Sequence, residues 1–348
     1  MTSNTSYSYI TKALHEMKDA GLIKISETKP SIITATRAGR QLIKKACPDY
    51  HAYYLHFSNN GKPGSSERHN EIQVRATGVI ACALQSGIKV GAQKPTLKEI
   101  ASGAAPPVHL DENTFFLNRE LKYEEEQVIA RAQNTRASGI LYSRGLSGMV
   151  YNSMDRPLKI YRRAEKESNI RAHVYGYEIY GDRWQQPQEH EGIVFCTDEK
   201  AALKIMQART NAGKQESRYI GDAIWDSSLT GASYRCIPME KNYITILQYI
   251  CKFTKDEIIA SVFSEGERAN AARAGIGEAI IGDLICYEYL SCNITKLAQI
   301  KRLLECNEAL KIGIVCVEDQ EDFIRSFLGR EVRFRTIRLA AIEKLASE

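Results

Sequence analysis

The stretch from Ile294 to Val317, ITKLAQIKRLLECNEALKIGIVCV, joins an amphipathic helix to a continuously apolar strand. Leu297, Ile300 and Leu304 recur at the three- and four-residue spacing of one helix face. The run KIGIVCV that follows has the unbroken apolar character of a strand that is covered on both faces. A helix that leads into such a strand is the repeating half of a parallel α/β sheet.

The same alternation continues on both sides of this stretch. A helix carrying Phe323 and Phe327 follows it, and a further helix is predicted at 199–212. The remaining predicted strands are 139–144, 148–152, 192–197, 284–290 and 332–336. Successive strand–helix units of this kind predict an α/β domain over residues 113–348, with a mixed, mostly parallel sheet.

The composition of the 348 residues, 43% apolar and 26% charged, is that of an ordinary globular protein. No run of about 18 apolar residues occurs, so we expect neither a spanning helix nor a membrane as partner. The N-terminus, MTSNTSYSYITK, lacks the apolar core of a secretory signal. The nine cysteines include no Cys-x-x-Cys pair and indicate reduced thiols in a cytoplasmic protein.

The net charge of +5 is concentrated at one end of the chain. Residues 1–48 contain eight basic and three acidic side chains, whereas the rest of the chain balances at 39 of each. A polyanion-binding surface is therefore expected within the first 48 residues.

The N-terminal segment has the pattern of a helix, a hairpin and a second helix. Ile10, Ala13, Leu14 and Met17 share one helix face, and Gly21 suits the turn after it. Strands at 22–25 and 31–36 and a helix at 37–45, capped by Thr36, complete the segment. This order resembles a winged-helix DNA-binding domain from its recognition helix onward, and we assign a partial winged-helix module to residues 1–47.

The resemblance implies that polar residues of the first helix and lysines of the hairpin contact duplex DNA. The candidate DNA-binding residues are Tyr7, Ser8, Thr11, Lys12, His15, Lys24, Lys29 and Arg37. The alternative is that these residues form a solvated face of a module that binds protein. Two helices precede the recognition helix in such domains and only a few residues do here. Either the chain continues upstream, or another segment or a partner covers the exposed apolar face.

Residues 48–112 form an irregular connection that contains a predicted helix at 67–86. That helix begins with SERHNEIQVR (66–75), and SRGLSGMVYNSMDRPLKIYRRAEKES follows at 143–168. Together with the N-terminal module and the α/β domain, these segments resemble the replication-relaxation proteins of plasmids and integrative elements. The resemblance implies a DNA-handling accessory protein of a mobile element, with an α/β domain similar to the restriction-endonuclease core. Further candidate partners are a second copy of the chain and other proteins of the element.

A nuclease with that core needs a metal-binding acid and a strand that carries Glu-x-Lys. The sequence has this triplet at 16–18, 27–29 and 120–122, outside the predicted strands of the α/β domain. Asp155 and a displaced Glu165 are the remaining weak catalytic candidates. The sequence therefore favours a non-catalytic domain, and a rearranged active site stays open as the alternative.

Other chemistries lack their motifs. The sequence contains no phosphate-binding Gly-x-x-x-x-Gly-Lys-Ser/Thr loop and no zinc-ligand spacing, so we predict neither a cofactor nor a metal. The pairs Asp198–Glu199 and Glu318–Asp319 follow parallel strands, where they either cap helices or belong to a site. Three functions remain: a DNA-binding accessory protein, a metal-dependent nickase with a rearranged site, and a protein-interaction module.

Overall fold

The computed structural model describes residues 7–27, 33–51, 67–106, 108–109, 112–118, 120–121, 135–181, 190–210, 217–329 and 332–347. The chain divides into two compact units, Met1–Thr77 with Gly91–Gln93 and Gly78–Val90 with Lys94–Glu348. Within the described ranges, no helix is long and apolar enough to cross a membrane.

Helices and strands of the described residues are numbered in chain order. The helices are α1 (Tyr7–Asp19), α2 (Arg37–Ala46), α3 (Glu67–Gln85), α4 (Leu97–Ala101), α5 (Arg162–Tyr180), α6 (Glu199–Gln207), α7 (Ile220–Trp225), α8 (Lys241–Lys252), α9 (Lys255–Val262), α10 (Glu265–Ala274), α11 (Ile294–Cys306), α12 (Glu321–Leu328) and α13 (Leu339–Ser347). The strands are β1 (Ile23–Ile25), β2 (Ile33–Ala35), β3 (Lys89–Val90), β4 (Thr114–Leu117), β5 (Gly139–Tyr142), β6 (Gly148–Met154), β7 (Lys159–Tyr161), β8 (His190–Cys196), β9 (Ser217–Tyr219), β10 (Ala232–Pro238), β11 (Ala279–Ile281), β12 (Leu284–Glu288), β13 (Ile312–Val317) and β14 (Arg333–Ile337).

The first unit contains the predicted order of helix, hairpin and helix. Strands β1 and β2 pair antiparallel, with Lys24 opposite Thr34. Thr36 caps α2, because its hydroxyl accepts from the Gly39 amide at 3.2 Å and donates to the Gly21 carbonyl at 2.6 Å. The same hydroxyl therefore ties the start of α2 to the end of α1.

A six-stranded sheet with the order β10-β8-β6-β5-β4-β3 forms the centre of the second unit. The pairs β10–β8, β8–β6 and β4–β3 are parallel, and β6–β5 and β5–β4 are antiparallel. Strands β4 and β5 are buried throughout, as expected for strands covered on both faces.

A second sheet has the order β11-β12-β13-β14. Its first pair is antiparallel and the next two are parallel. An antiparallel hairpin, a helix and two further parallel strands therefore occur twice in this unit, once as β5–β6–α5–β8–β10 and once as β11–β12–α11–β13–β14. The two halves use the same local connections because each strand–helix unit packs its helix back onto its own sheet.

Two hydrophobic cores run along opposite faces of both sheets. One contains Tyr151, Val194 and Ile314, and the other contains Val150, Ile193 and Val315. Neighbours along a strand point to opposite faces, so each strand supplies both cores. The unit is thus a helix–sheet–helix sandwich in which the two sheets share both apolar layers.

Arg235 links the two sheets. It lies on β10, is 2% exposed, and forms an isolated antiparallel bridge with Asn293 at the start of α11. Its guanidinium donates to Glu191 on β8 at 3.0 and 2.5 Å and to the Ser291 carbonyl at 2.9 Å. One buried side chain thereby connects two strands of the first sheet to the segment that follows β12.

The structure confirms the mixed α/β fold with a mostly parallel sheet. The helix expected at Ile294–Cys306 has those bounds. The predicted end of the helix at 212 is wrong: α6 ends at Gln207, where Ala208 turns to an extended conformation and Arg209 donates to the Met206 carbonyl at 2.7 Å. The sequence did not predict strand β10. Arg235 and Pro238 interrupt its apolar pattern, although every position of the strand is buried.

We predict that Gly39→Ala destabilises the N-terminal module. Gly39 is buried in α2, and a Cβ there would overlap the backbone carbonyl oxygen of Leu22. Overpacking of this kind costs about 1–3 kcal/mol, so amides of α2 should exchange faster with solvent in native-state hydrogen exchange.

The matched control is Gly266→Ala in α10, where a Cβ would have no neighbour within 4 Å. Replacing a helical glycine by alanine in open space stabilises by up to about 1 kcal/mol. Unchanged or slower exchange in the Gly39 variant would contradict the packing of α2 against Leu22.

Candidate functional site

The basic residues expected to bind DNA lie at the surface of the N-terminal module. Lys12 and His15 are exposed on α1, and Lys24 is exposed at the centre of β1. Thr11 is half-buried. The side chains of Tyr7 and Ser8 and the whole of Lys29 lie outside the described residues. The described members of the set therefore include three exposed basic or imidazole groups on one helix–strand pair.

Helix α2 adds a second basic surface that the sequence analysis represented by Arg37 alone. Arg37, Arg40 and Lys44 are all exposed, and their spacing of three and four residues places them on one side of the helix. Lys45 is exposed beside them. The signal for this stripe was the spacing itself, which is readable in RAGRQLIKKA.

Few acidic groups offset these charges. Lys12 faces Glu16 at 3.9 Å one helical turn away, with both side chains more than two-thirds exposed. Such a solvated pair contributes only about 0–1 kcal/mol and leaves the lysine available to a stronger anion. Electrostatically, the described part of this module is a cationic surface with weakly held counter-charges.

The module also exposes apolar side chains. Leu42 and Ile43 on α2 are 50% and 41% exposed, and Met17 on α1 is 46% exposed. These side chains keep the protein-binding alternative for the module open.

The two weak catalytic candidates of the α/β domain lie in contrasting environments. Asp155 lies in the turn after β6, two-thirds exposed, with its carboxylate 3.8 Å from Arg156. Glu165 is fully buried in the first turn of α5. The sequence placed Glu165 correctly on a helix but gave no sign of its burial.

Glu165 is the centre of a buried hydrogen-bond cluster. Its carboxylate accepts from the Tyr151 hydroxyl at 2.7 Å, the Thr135 hydroxyl at 3.0 Å and the Arg136 amide at 3.0 Å. Burial raises the pKa of Glu165, although these hydrogen bonds partly oppose the shift. The carboxylate thus ties α5 to β6 and to the segment before β5.

The acidic pairs at the strand ends cap and brace helices. Asp198 accepts from the Ala201 amide at 2.7 Å, which confirms it as the N-cap of α6. Glu199 accepts from the Tyr243 hydroxyl at 2.5 Å, and Asp319 accepts from the Asn242 amide at 2.7 Å. Burial raises the pKa of the Glu199 carboxyl, and the nearby carboxylates Glu240, Asp319 and Asp322 raise it further.

No three histidine, cysteine or acidic side chains of the described residues are arranged to hold a metal ion.

All nine cysteines are free thiols. The sulfur atoms of Cys196 on β8 and Cys236 on β10 lie 3.5 Å apart. The hydrogen bond between the two thiols is the largest cause that raises the pKa of Cys236, and burial raises it further.

Comparison of the chain with protein-family models, with curated proteins and with solved structures gave no match.

We predict that Glu165→Gln removes a pH dependence from stability. The folded state raises the pKa of Glu165 above its ordinary value of 4.5, so it holds the proton at higher pH than the unfolded chain does. The free energy of unfolding should therefore fall as pH rises from about 4.5 through the raised pKa. Chemical denaturation between pH 4 and 8 should show a steeper fall in the native chain than in the variant, because Glu199, whose pKa is also raised, remains in both.

The control is Glu167→Gln on the outer side of the same helix, where Glu167 pairs with Arg163 at 3.0 Å. It removes one negative charge from α5 without touching the cluster. An unchanged pH profile in the Glu165 variant would show that this carboxyl does not couple protonation to folding.

Proposed function

We propose that the chain binds duplex DNA through its N-terminal module. The observation that carries the proposal is the exposure of every described basic side chain in residues 7–51. These side chains are Lys12, Lys18, Lys24, Arg37, Arg40, Lys44 and Lys45. Solvated basic side chains release the counterions condensed on DNA when they neutralise its phosphates.

The distribution of the charge supports the same conclusion. The rest of the chain has equal numbers of basic and acidic residues, so the excess of five positive charges belongs to the N-terminal segment. The clustering of Lys24 on the hairpin with two basic helix faces provides phosphate contacts from three elements. Phosphate contacts position a protein on DNA, while polar groups of the inserted helix read the bases.

The order α1–β1–β2–α2 also supports a winged-helix interpretation, in which α1 enters the major groove and the hairpin follows the backbone. In this proposal the chain is an accessory protein of a plasmid or integrative element that acts in replication or transfer. The α/β domain, similar in the proposal to the restriction-endonuclease core, holds the DNA-binding module within a larger complex.

Replacing Lys12 and Lys24 together by Ala is expected to weaken duplex binding on all sequences. Each lost phosphate contact should make the negative slope of log affinity against log salt shallower by about 0.9, or by about 2 for the pair. The measurement is fluorescence anisotropy with a labelled duplex over a salt series.

The matched control is the double change Lys166→Ala and Lys241→Ala, which removes two exposed lysines from α5 and α8. It should leave the slope unaltered. If both double variants changed the slope equally, the charge of the whole chain, rather than the N-terminal module, would be responsible for binding.

A protein-binding module is the second candidate, and the exposed Leu42 and Ile43 favour it. The salt series separates the two functions. If the native chain failed to bind the duplex even at low salt, the protein-binding function would be supported.

We further predict that the chain does not nick supercoiled plasmid DNA with Mg²⁺ or Mn²⁺. Glu165 is enclosed and its carboxylate already accepts three hydrogen bonds, so it cannot join the exposed Asp155 at a metal without breaking the cluster. The assay is gel conversion of supercoiled to open-circular DNA. Metal-dependent nicking that Asp155→Ala or Glu165→Gln abolishes would instead establish the nickase function.

A further inference from the structure

A polar cleft of about 390 Å³ opens in the α/β domain. Its lining includes Ser227, Lys255, Glu278, Tyr287, Lys296 and Gln299. This volume lies within the range of about 300–1,000 Å³ that is typical of small-molecule sites. The described lining residues come from β12, α9, α11 and the loops before β10 and β11, so several parts of the fold converge on it.

A buried ionic cluster forms one wall of the cleft. The Lys296 ammonium lies 2.7 Å from Glu278, contacts the Glu288 carboxylate and donates to the Glu288 carbonyl at 3.0 Å. These three contacts use all three of its hydrogens. Two carboxylates therefore share one ammonium, and the wall carries an excess of one negative charge when both are ionised.

Glu278 is the member of this cluster that lines the cleft with acceptor capacity to spare. One of its oxygens accepts from Lys296, and the other accepts from the Glu288 amide at 2.7 Å. Each carboxylate oxygen has a second lone pair. Glu278 can thus accept one further hydrogen bond at each oxygen from a donor in the cleft.

A positively charged side chain and hydrogen-bond donors also line the cleft. Lys255 is exposed, and its ammonium has no ion-pair partner among the described residues. Within the same described residues, the side chains of Ser227 and Gln299 have no hydrogen-bond partner. An ammonium and a hydroxyl that line the same cleft are groups suited to a phosphate. The half-buried Tyr287 adds an aromatic ring, on which a planar group can stack.

We propose that this cleft binds a nucleotide whose base carries an exocyclic amino group. The amino group donates to Glu278, the base stacks on Tyr287, and the phosphate is held by Lys255 and Ser227. A carboxylate accepting from an amino group is a base-reading contact, and aromatic stacking holds an unpaired base. The proposal does not depend on DNA binding by the N-terminal module.

Isothermal titration calorimetry on the full chain tests the proposal with CMP, AMP, UMP and cytidine. CMP and AMP should bind at one site. UMP, which lacks the amino donor, and cytidine, which lacks the phosphate, should each bind about tenfold or more weaker, because each loses a charge-assisted hydrogen bond.

The variant Lys255→Ala should reduce the affinity for CMP to that for cytidine, and it should leave cytidine binding unchanged. Lys255 is exposed, so the variant is expected to fold, whereas Glu278→Gln perturbs the buried cluster and is used only after its thermal unfolding matches that of the native chain. The combined Lys166→Ala and Lys241→Ala variant serves as the control and should bind CMP normally.

A 5′-phosphorylated single-stranded oligocytidylate distinguishes a free nucleotide from a strand end. Tighter binding of the oligonucleotide, with the same sensitivity to Lys255→Ala, would assign the cleft to a strand end. The proposal is overturned if none of the nucleotides or the oligonucleotide binds at millimolar concentration. It is equally overturned if UMP and CMP bind alike, or if Lys255→Ala has no effect.

Discussion

The paired guanidinium of Arg235 is the constraint on which the α/β domain depends. A charge that is 2% exposed must be compensated within the protein, because desolvation would otherwise cost several kcal/mol. Glu191 and the Ser291 carbonyl supply that compensation from two different parts of the chain. Burial lowers the pKa of Arg235, but the carboxylate of Glu191 outweighs it and the net shift is upward. The complete set of contacts of Arg235 forms only when β8, β10 and the segment after β12 lie together, so it fixes how the two sheets join.

Buried charges recur in this domain, and each connects elements that are distant in sequence. Lys94 and Glu120 form a 2.8 Å pair with both side chains fully buried, and Glu120 also accepts from the Leu117 amide. Burial disfavours the charged form of Lys296, but Glu288 and Glu278 raise its pKa overall. Some of the basic and acidic residues that balance one another beyond residue 48 therefore form pairs inside the domain.

The N-terminal module has the opposite character. Its described basic groups are solvated and several of its apolar side chains are exposed. The charges of the α/β domain are compensated inside the fold, whereas those of the module remain at its surface, where the proposed DNA binding would use them. The cleft beside Lys296 combines both features. Its charges are compensated within the cluster, but the Glu278 carboxylate keeps acceptor capacity for a further hydrogen bond.

The sequence by itself determined those features that depend on neighbours along the chain. The helix at Ile294–Cys306, the Thr36 cap, the apolar strands and the position of the excess charge all follow from local spacing. Only the tertiary structure decided that Glu165 is buried, that the segment Ala232–Pro238 forms a fully buried strand at the edge of its sheet and that Lys296 faces a cleft. Glu165 is compensated by Thr135 and Tyr151, and Arg235 by Glu191, 44 residues away. A local sequence pattern predicts that a charged residue is exposed. The partners that compensate its burial come close to it only in the completed fold.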